Sequence, residues 1–524
     1  MAELAGIAAS GHEETSKAAA RLLDEQGNAF DAVLGAMCVA CVSEPMLASL
    51  GGGGFLMAQE AGQPSVVHDF FVQTPRVKRR AEELDFYPIL ADFGTARQEF
   101  HIGMGSIAVP GVVAGLFEIH RRYCRLPISE IMAPAVELAR AGVRVNRLQH
   151  YISHILLPIL QASPEAMRLV ATAEAPGEVA AEGETVTNPE LADALEALAR
   201  EGPDLFYQGE MAQQLVRDNG ENGGMLSARD LAEYTVIRRQ PVRYSSHGAD
   251  FSFNSPPSPS GCLVAFALGL LAGQGLSQRR WGHAWHCASL GRAMQAADRL
   301  RRSAELGPEL SEERVAAILG PQFLQDWRSA AFGHDTATRG TTHISVADAQ
   351  GNLASLTISN GEGCAYVLPG TGIMLNNMLG EEDLNPQGFH RWRPGARMAS
   401  MMCPAVASLP DGGWVALGSG GSNRIRSAIL QVLLNRFEFG HTREEAVAAP
   451  RMHLEGAQLS LEAGFAEEAL EALGGIWPDH RLWPEPNIFF GGVHAVERMP
   501  DGSLCGAGDP RRGGAVATAG RPQA

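Results

Sequence analysis

The stretch Gly340-Thr341-Thr342-His343-Ile344-Ser345-Val346 decides how the rest of this chain is interpreted. The ten residues 331–340 lack apolar periodicity and predict an exposed loop. From Thr342 to Val346 the pattern predicts a strand, 348–352 a turn, and 353–359 the returning strand of a hairpin. A Gly-Thr-Thr sequence that opens a strand is far more often plain β-sheet than a catalytic site, so this segment alone decides nothing about function.

Cleavage in front of Thr341 would give this threonine a catalytic chemistry. A Thr hydroxyl is a weak nucleophile until a base takes its proton, and a free α-amine, with a pKa of about 8, can be that base. Gly340 leaves little steric bulk beside the carbonyl that the hydroxyl would attack. The segment is therefore compatible with self-cleavage of the Gly340–Thr341 bond.

Composition and charge limit the kinds of partner. The 524 residues are 45% hydrophobic and 19% charged, which is typical of a globular protein. A net charge of −17 argues against a nucleic-acid partner, because phosphate recognition needs an excess of Lys and Arg on one face. No run reaches the roughly 18 apolar residues that cross a bilayer, and the N-terminus lacks a secretory signal pattern. We therefore expect a cytoplasmic protein without a membrane partner.

The sequence gives little support for a metal or redox site. Cys38 and Cys41 form a CxxC, but they lie in an apolar run that predicts buried thiols on a core helix. His283 and His286 have helical spacing beside a cysteine, yet no further ligand cluster is near in sequence. We expect no metal and no organic cofactor.

Helical and β patterns are segregated along the chain. Residues 13–60 predict two helices, a glycine-rich loop and a strand, and residues 100–300 are mostly helical. Pro134 near the start and a glycine after residue 141 predict the two ends of a helix over 134–141. Strand patterns dominate after residue 341. This segregation predicts an α+β fold built in layers.

The segment that starts at Thr341 resembles the start of the small subunit in the γ-glutamyltransferase family. Further matching motifs follow in the family's order over about 480 residues, roughly 28 to 511, which is much more specific than one short motif. These motifs are Gly27 to Ala32, the glycines 51–54, Val109 to Gly115, Pro256 to Gly261, Thr341 to Val346, Pro369 to Ile373, Leu375 to Asn377, Gly418 to Ile425 and Asp509 to Arg511.

The resemblance implies a fold and a mechanism. The family has the N-terminal-nucleophile hydrolase fold, a four-layer αββα sandwich. Cleavage of the Gly340–Thr341 bond would leave a large subunit, 1–340, and a small subunit, 341–524. The freed Thr341 would attack a substrate amide to form an acyl-enzyme, which water or an amine acceptor resolves. Such a mechanism needs only a hydroxyl, an amine and fixed backbone donors.

The resemblance also assigns residues that would assist the nucleophile. Ser359 occupies the position of a second hydroxyl residue that hydrogen-bonds the nucleophile, and a serine keeps both donor and acceptor there. Gly421 and Ser422 fall where two consecutive backbone N–H groups form an oxyanion hole, so the identity of their side chains matters little.

Substrate recognition departs from the family pattern at Phe71. The family has an arginine at this position, two residues after the acidic Asp69, and that arginine grips the glutamyl α-carboxylate. A bidentate guanidinium–carboxylate contact is strong and directional, and a phenyl ring cannot replace it. Arg76 or Arg397 could supply the charge from another direction, and the sequence leaves this alternative open.

Other positions of the expected substrate pocket are also changed. Glu381, followed by Glu382, aligns with the acidic residue that meets the substrate's α-ammonium group. The asparagine expected after the second hydroxyl residue is replaced by glycine, with Asn360 beside it. Paired serines become Ala399-Ser400. The segment that forms the family's lid, here 384–398, is short. The α-amino-acid clamp is therefore partly rebuilt.

Three functions follow, in order of preference. The first is an autoprocessing γ-glutamyltransferase or hydrolase that forms a γ-glutamyl acyl-enzyme on Thr341. The second is an acylase or amidase of the same fold, for glutaryl-type or other acyl amides, because Phe71 replaces the carboxylate-binding arginine. The third is an unprocessed, non-catalytic binding or assembly module. The expected partner in the first two is a small-molecule γ-glutamyl or acyl amide.

Overall fold

The computed structural model describes residues 4–92, 97–303, 306, 310–330, 341–385 and 387–520. The predicted loop 331–340, with Gly340 and the bond it makes to Thr341, lies outside the described residues. Among the described residues no helix is long and apolar enough to cross a membrane.

The helices lie mainly before residue 341, as the sequence predicts. They are α1 Glu13–Asp24, α2 Ala29–Ser43, α3 Val112–Tyr123, α4 Ile128–Ala141, α5 Arg147–Ile155, α6 Leu157–Leu160, α7 Pro164–Arg168, α8 Pro189–Glu201, α9 Asp204–Tyr207, α10 Glu210–Glu221, α11 Ala228–Ala232, α12 Ser260–Leu271, α13 Ala284–Arg302, α14 Glu312–Ile318, α15 Pro321–Ala330, α16 Arg424–Phe437, α17 Arg443–Ala448 and α18 Glu467–Ile476.

The strands come from both ends of the chain. They are β1 Leu4–Ser10, β2 Gly53–Gln59, β3 Val66–Phe70, β4 Tyr87–Asp92, β5 Arg97–Ile102, β6 Val143–Arg144, β7 Thr185–Val186, β8 Ile237–Arg239, β9 Val242–Ser246, β10 Ala249–Phe253, β11 Thr342–Asp348, β12 Leu353–Ser359, β13 Val367–Leu368, β14 Ile373–Met374, β15 Ala405–Ser408, β16 Trp414–Gly420, β17 Met452–Glu455, β18 Gln458–Glu462, β19 His480–Trp483, β20 Gly492–Arg498, β21 Leu504–Ala507 and β22 Ala515–Gly520.

Two antiparallel sheets form the centre of the molecule. The seven-stranded sheet has the order β22-β1-β11-β12-β2-β3-β8, and the six-stranded sheet has the order β21-β20-β16-β15-β10-β9. The sheets face each other through β11, β12, β16 and β20. Helices α1 and α2 cover the outer face of the first sheet, and α12 and α16 cover that of the second. The result is the four-layer αββα sandwich that the resemblance predicts.

The hairpin β11–β12 lies in the middle of the seven-stranded sheet, between β1 and β2. In this sheet the hairpin β11–β12, which follows residue 341, lies between strands that precede it, and both sheets contain strands of each kind. The segments 1–340 and 341–524 therefore share one core and are not separate folding units.

Local sequence signals explain the helices beside this hairpin. Asn28 caps α2 by accepting hydrogen bonds from two backbone N–H groups, and the Asp31 carboxylate accepts the Asn28 N–H in return. Helix α2 is buried along its whole length, as its apolar sequence predicts. One predicted boundary is wrong. Helix α4 begins at Ile128, and Pro134 lies inside it, because tertiary packing outweighs the local preference of proline for the first turn.

Candidate active site

A cavity opens where the hairpin, the turn after β3 and the entry to α16 meet. It encloses about 320 Å³, mouth included. Its lining contains six of the residues that the sequence nominates, brought together from four separate parts of the chain. Its described lining residues are Phe71, Thr341, Ser359, Met378, Glu381, Leu384, Ser400, Met401, Met402, Ser422 and Ile425.

The hairpin register places the two hydroxyl residues side by side. Thr342 pairs with Ile358, so that Thr341, one residue before β11, lies opposite Ser359 at the end of β12. Both are buried, with relative exposures of 4% and 3%. The Ser359 Oγ accepts the N–H of Gly361 at 3.0 Å. This turn contact fixes the Ser359 side chain at the cavity wall beside Thr341.

Close backbone packing supports the ends of these strands. A Cβ at Gly52 would lie 2.2 Å from the Ser359 carbonyl oxygen, and a Cβ at Gly53 would lie 2.7 Å from the backbone nitrogen of Val72. Only glycine allows two chains this near. The glycine run therefore joins the Ser359 end of β12 to the chain segment that carries Phe71.

The backbone of Thr341 is held from the side of the second sheet. Arg512 Nη1 donates a hydrogen bond to the Thr341 carbonyl oxygen at 2.7 Å. A Cβ at Gly420 would lie 2.0 Å from the same oxygen. The end of β16 therefore runs directly against the peptide that follows Thr341, and it leaves no room for a side chain there.

The chain turns sharply between β16 and α16, beside Thr341. Gly421 has a φ of 119° and Ser422 a φ of 49°, and the latter is an unusual value for a residue with a side chain. The Ser422 Oγ donates to Asp383 Oδ2 at 2.9 Å. Helix α16 starts two residues later, so its positive end also points to this region. A backbone of this kind can stabilise a negatively charged oxygen.

His343 lies close in sequence but takes no part in the cavity. Its Nδ1 lies 2.8 Å from Thr357 Oγ1 and its Nε2 lies 2.9 Å from Ser345 Oγ. The ring packs between the two sheets against Gly418, where a Cβ would lie 2.2 Å from it. Burial holds the pKa of His343 well below its ordinary value. This imidazole is therefore a neutral part of the core and not a base for Thr341.

The wall opposite the hairpin is apolar. Phe71 is fully buried and stacks on Phe55, with ring centroids 5.3 Å apart. Three methionines, a leucine and an isoleucine line the same cavity. We call this group the acyl wall, defined as Phe71, Met378, Leu384, Met401, Met402 and Ile425. Among the described residues that line the cavity there is no Arg or Lys.

Neither of the two alternative arginines reaches this wall. Arg397 lies behind it, where its Nη1 donates to the carbonyl oxygen of Phe71 and, at 2.6 Å, to the Tyr234 hydroxyl. It also pairs with Asp69 at 3.3 Å. Arg76 pairs with Glu233 at 2.7 Å and is partly exposed. Arg397 therefore supports the backbone of the turn that carries Phe71, with its charge directed away from the cavity.

Ser400 and the two methionines after it are held by an upstream loop. The Ser400 N–H donates to Ser258 Oγ, and the Met402 N–H donates to Ser400 Oγ, each at 3.1 Å. The Asn254 side chain donates to the Met402 carbonyl oxygen at 2.9 Å. Met401 and Met402 had no recognisable signal in the sequence, because only this loop turns them to the cavity.

Three predicted substrate-binding residues do not line the cavity. Glu382 begins a single turn of 3₁₀ helix and is exposed, since its side chain points to solvent while Glu381 points inwards. Ala399 is half-buried beside Ser400 but lies outside the lining. Asn360 is fully buried, and its side-chain oxygen and nitrogen have no hydrogen-bond partner. Its substrate role stays a prediction.

Comparison with known proteins identifies the family. The model of the family described as gamma-glutamyltranspeptidase matches residues 15–519. The chain belongs to the gamma-glutamyltranspeptidase family. Its relatives include proteins named acylase and proteins named glutathione hydrolase.

One acylase relative and one glutathione hydrolase relative have the same identity to this chain. The Acylase ACY 1 proenzyme of Pseudomonas sp. strain SE83 is 30% identical over 521 residues, which cover 96% of this chain and 91% of the relative. The glutathione hydrolase proenzyme of Pseudomonas aeruginosa is 30% identical over 481 residues, covering 86% and 82%. Sequence identity therefore does not show whether this chain is nearer in function to the acylase or to the glutathione hydrolase.

The solved structure of cephalosporin acylase from Bacillus halodurans has the same fold. It superimposes with a TM-score of 0.84 at 23% identity and covers 99% of this chain and 96% of its own. The fold is thus that of the N-terminal-nucleophile hydrolases, as the sequence predicts. The family supports an enzyme of the hydrolase or transferase type, and the substrate has to be argued from the cavity.

Proposed function

We propose that this protein is an autoprocessing N-terminal threonine acylase whose substrates are amides with an acyl group that lacks an α-carboxylate. One observation carries the proposal: Phe71 forms part of the cavity wall, and the described lining contains no cation. This reverses the order of the first two functions inferred from the sequence, because neither Arg76 nor Arg397 compensates for the missing arginine.

The proposed reaction begins with cleavage of the Gly340–Thr341 bond. The Thr341 hydroxyl attacks the carbonyl of Gly340, the C–N bond breaks to give an ester and a free Thr341 amine, and water then hydrolyses this ester to release the Gly340 carboxylate and the Thr341 hydroxyl. That amine then takes the hydroxyl proton as Thr341 attacks the substrate amide. The leaving amine takes the proton, and a water molecule repeats the sequence on the acyl-enzyme to release the acid.

Two groups beside Thr341 assist this reaction in the proposal. The Ser359 hydroxyl hydrogen-bonds the nucleophile and orients it. The backbone N–H groups of Gly421 and Ser422 donate to the oxyanion that forms on the substrate carbonyl, where removal of one donor typically costs about 10²–10³ in kcat. The sharp turn at these two residues and the start of α16 support this role.

The apolar wall is the reason to place an acylase first. A carboxylate loses its hydration when it enters a cavity of this kind, and without a cation beside it the cost is several kcal/mol. The aromatic ring of Phe71 and three methionines instead favour an aliphatic or aromatic acyl chain. Methionine side chains adapt to several shapes, which suits a range of acyl groups.

A γ-glutamyl substrate remains the second candidate, because Glu381 lines the cavity. A buried carboxylate at this place can pair with the α-ammonium group of a γ-glutamyl donor. In this alternative the γ-glutamyl acyl-enzyme passes its acyl group to water or to an amine acceptor.

Anilides that share one leaving group but differ in the acyl group distinguish the acylase from the γ-glutamyl enzyme. We would measure kcat/KM for glutaryl, γ-glutamyl and butyryl p-nitroanilides with the purified, fully cleaved protein. The acylase proposal predicts the highest value for butyryl, the one of the three acyl groups without a carboxylate; glutaryl keeps this carboxylate and lacks only the α-amino group. A γ-glutamyl value at least about tenfold above the other two, which is about 1.4 kcal/mol of transition-state free energy, would reverse the order.

Maturation is tested on the same material. Denaturing electrophoresis should show two fragments, and Edman sequencing should find a new terminus that reads Thr-Thr-His. A chain that stays intact after long incubation would support the third function, a non-catalytic module, and would refute both enzymes.

A further inference from the structure

We propose that Glu44 is a positioning residue for Thr341 and that it acts through the hydroxyl of Thr342. The inference rests on the proposed function, because it takes Thr341 as the nucleophile. Glu44 follows directly after α2, in the layer of helices that covers the hairpin from the side opposite the second sheet.

The contact is buried on both sides. Thr342 Oγ1 lies 3.3 Å and 3.2 Å from the two carboxylate oxygens of Glu44, and it donates to this pair. The two residues are only 3% and 6% exposed. A hydrogen bond from a hydroxyl to a buried carboxylate is stronger than one between neutral groups. Thr342 is thereby tied to the end of α2.

Strand geometry carries this restraint to Thr341. Successive side chains of a strand point to opposite faces, so Thr342 faces α2 while Thr341 faces the cavity. Rotation of the peptide between the two residues would move both side chains at once. On the other face, Arg512 holds the carbonyl of that same peptide. Glu44 and Arg512 thus restrain one peptide from its two sides.

The charges around Glu44 are arranged to keep this contact. Burial raises the pKa of Glu44 to about 7, while the Thr342 hydrogen bond and the charge of Arg512 act in the opposite direction. Burial lowers the pKa of Arg512 to about 10, and the charge of Glu44 counteracts this. A second cavity, separate from the one at Thr341, lies on the other side of Glu44, and His12 lines it. His494 is also near, since a Cβ at Gly11 would lie 3.0 Å from Glu44 Oε1 and 3.5 Å from His494 Nε2. Cys41 lies one helical turn before Glu44.

The side chain of Glu44 has no part in ending α2. The helix end is made by the backbone of Glu44, whose N–H donates to Ala40 and whose carbonyl accepts from Leu47 and Ala48. A buried carboxylate is costly without a partner, and Thr342 is the hydrogen-bond partner that the structure gives it. This separation allows the side chain to be tested without removing the helix end.

Four variants test the inference. Thr342→Val removes the hydroxyl at nearly constant shape, Thr342→Ser keeps the hydroxyl, and Glu44→Gln removes the charge. The fourth combines Thr342→Val with Glu44→Gln. Thr15→Val is the matched control, because its hydroxyl is buried between α1 and α2 and contacts Ser43, the residue before Glu44, at 3.2 Å.

We expect kcat to fall about tenfold or more in Thr342→Val and in Glu44→Gln, with KM within about twofold of the wild type, since a misplaced nucleophile slows the chemical step rather than binding. The double variant should lose about as much as one single variant and not the product of both. Thr342→Ser should recover most of the rate. The control should keep kcat within about twofold.

Different results would refute the proposed function and the positioning role of Glu44. If the wild type is never cleaved before Thr341, the proposed function fails and no statement about positioning follows. If the wild type is cleaved and active, but Thr342→Val keeps kcat within twofold, the positioning role is wrong. If Glu44→Gln does not fold, the pair Thr342→Val and Thr342→Ser still decides, because equal rates in these two variants would refute the inference.

Discussion

The two sides of the cavity differ in what they preserve. The nucleophile side, named for its proposed role, consists of Thr341, Ser359 and the turn at Gly421–Ser422, and it has the hydroxyls and the sharp turn that the resemblance implies. The acyl wall opposite has Phe71 where the family has an arginine, and methionines around it. Under the proposed function, bond cleavage and acyl selection are carried by separate pieces of chain, so one can change while the other stays.

Each side also depends on a different kind of contact. Thr341 is fixed by directional hydrogen bonds and by a glycine packed against its carbonyl. The acyl wall depends on shape and apolar burial, with Arg397 as a support behind it. We therefore expect small displacements on the nucleophile side to remove activity, whereas substitutions in the acyl wall should redistribute it among substrates.

Thr341→Ala gives the largest expected effect, since it removes the proposed nucleophile of self-cleavage and of substrate turnover. The precursor should stay a single band on denaturing electrophoresis, and kcat/KM should fall by at least about 10⁴. Thr341→Ser is the control and should still be cleaved. Cleavage before residue 341 in the alanine variant would show that Thr341 is not the nucleophile of self-cleavage.

The pH dependence of stability tests the charge behind the nucleophile. Because burial raises the pKa of Glu44 from 4.5 to about 7, the folded protein keeps a proton there that the unfolded chain loses between these values. The stabilisation is therefore complete below about pH 4.5 and is lost as the pH rises to about 7, by up to roughly 3 kcal/mol. Comparison with Glu44→Gln isolates this group.

The measurement is the difference in unfolding midpoint temperature between wild type and Glu44→Gln from pH 4.5 to 8. The wild type should lose stability relative to the variant across the window up to about pH 7, and the difference should then be constant. A difference that does not change with pH would mean that Glu44 titrates in its ordinary range and that its burial has little energetic effect.

Gly420→Ala should disturb the nucleophile side by contact alone. Its Cβ would lie 2.0 Å from the Thr341 carbonyl oxygen and 2.9 Å from Arg512 Nη1, so the backbone has to move. A displacement of about 1 Å costs about 10²-fold, and we expect kcat to fall by that factor. Gly475→Ala is the matched control, because its Cβ would meet nothing within 4 Å. Equal activities of the two variants would contradict the close packing.

Phe71→Arg tests the acyl wall and should give the smallest effect of these variants, a change in the preference between two substrates. A guanidinium in the acyl wall should raise the ratio of kcat/KM for γ-glutamyl over butyryl p-nitroanilide by about tenfold, because it can bind the carboxylate that the butyryl group lacks. Phe71→Leu removes the ring without adding charge and should leave the ratio within about twofold. If Phe71→Arg lowers both substrates equally, Phe71 does not face the acyl group.

The hairpin was predictable in detail because its signals are local. Turn residues at 348–352 and two flanking apolar runs fix the register, and that register alone brings Thr341 next to Ser359. The capping residue Asn28 and the apolar helix that follows were predictable for the same reason. Phe71, Glu381 and Ser422 were assigned through the resemblance, and the structure brings them to one cavity with Thr341.

The residues that sequence reasoning missed have long-range partners. Glu44 and Thr342 are 298 positions apart, and Arg512 reaches back 171 positions to Thr341. Met401 and Met402 line the cavity only because an upstream loop holds their backbone. The sequence showed that Arg397 is charged but not where its side chain points, and in the structure its guanidinium donates to the backbone carbonyl of Phe71.

By itself, the sequence determined the layered α+β fold and the hairpin that brings two hydroxyls together, because periodicity and turn residues express short-range geometry, and its resemblance to the family implied the loss of an arginine at Phe71. Only the tertiary structure decided which side chains face the cavity, that no other arginine enters its described wall, and that Glu44 and Arg512 hold the peptide after Thr341. These features depend on how distant strands and helices pack, and no local pattern encodes the direction of a side chain across that distance.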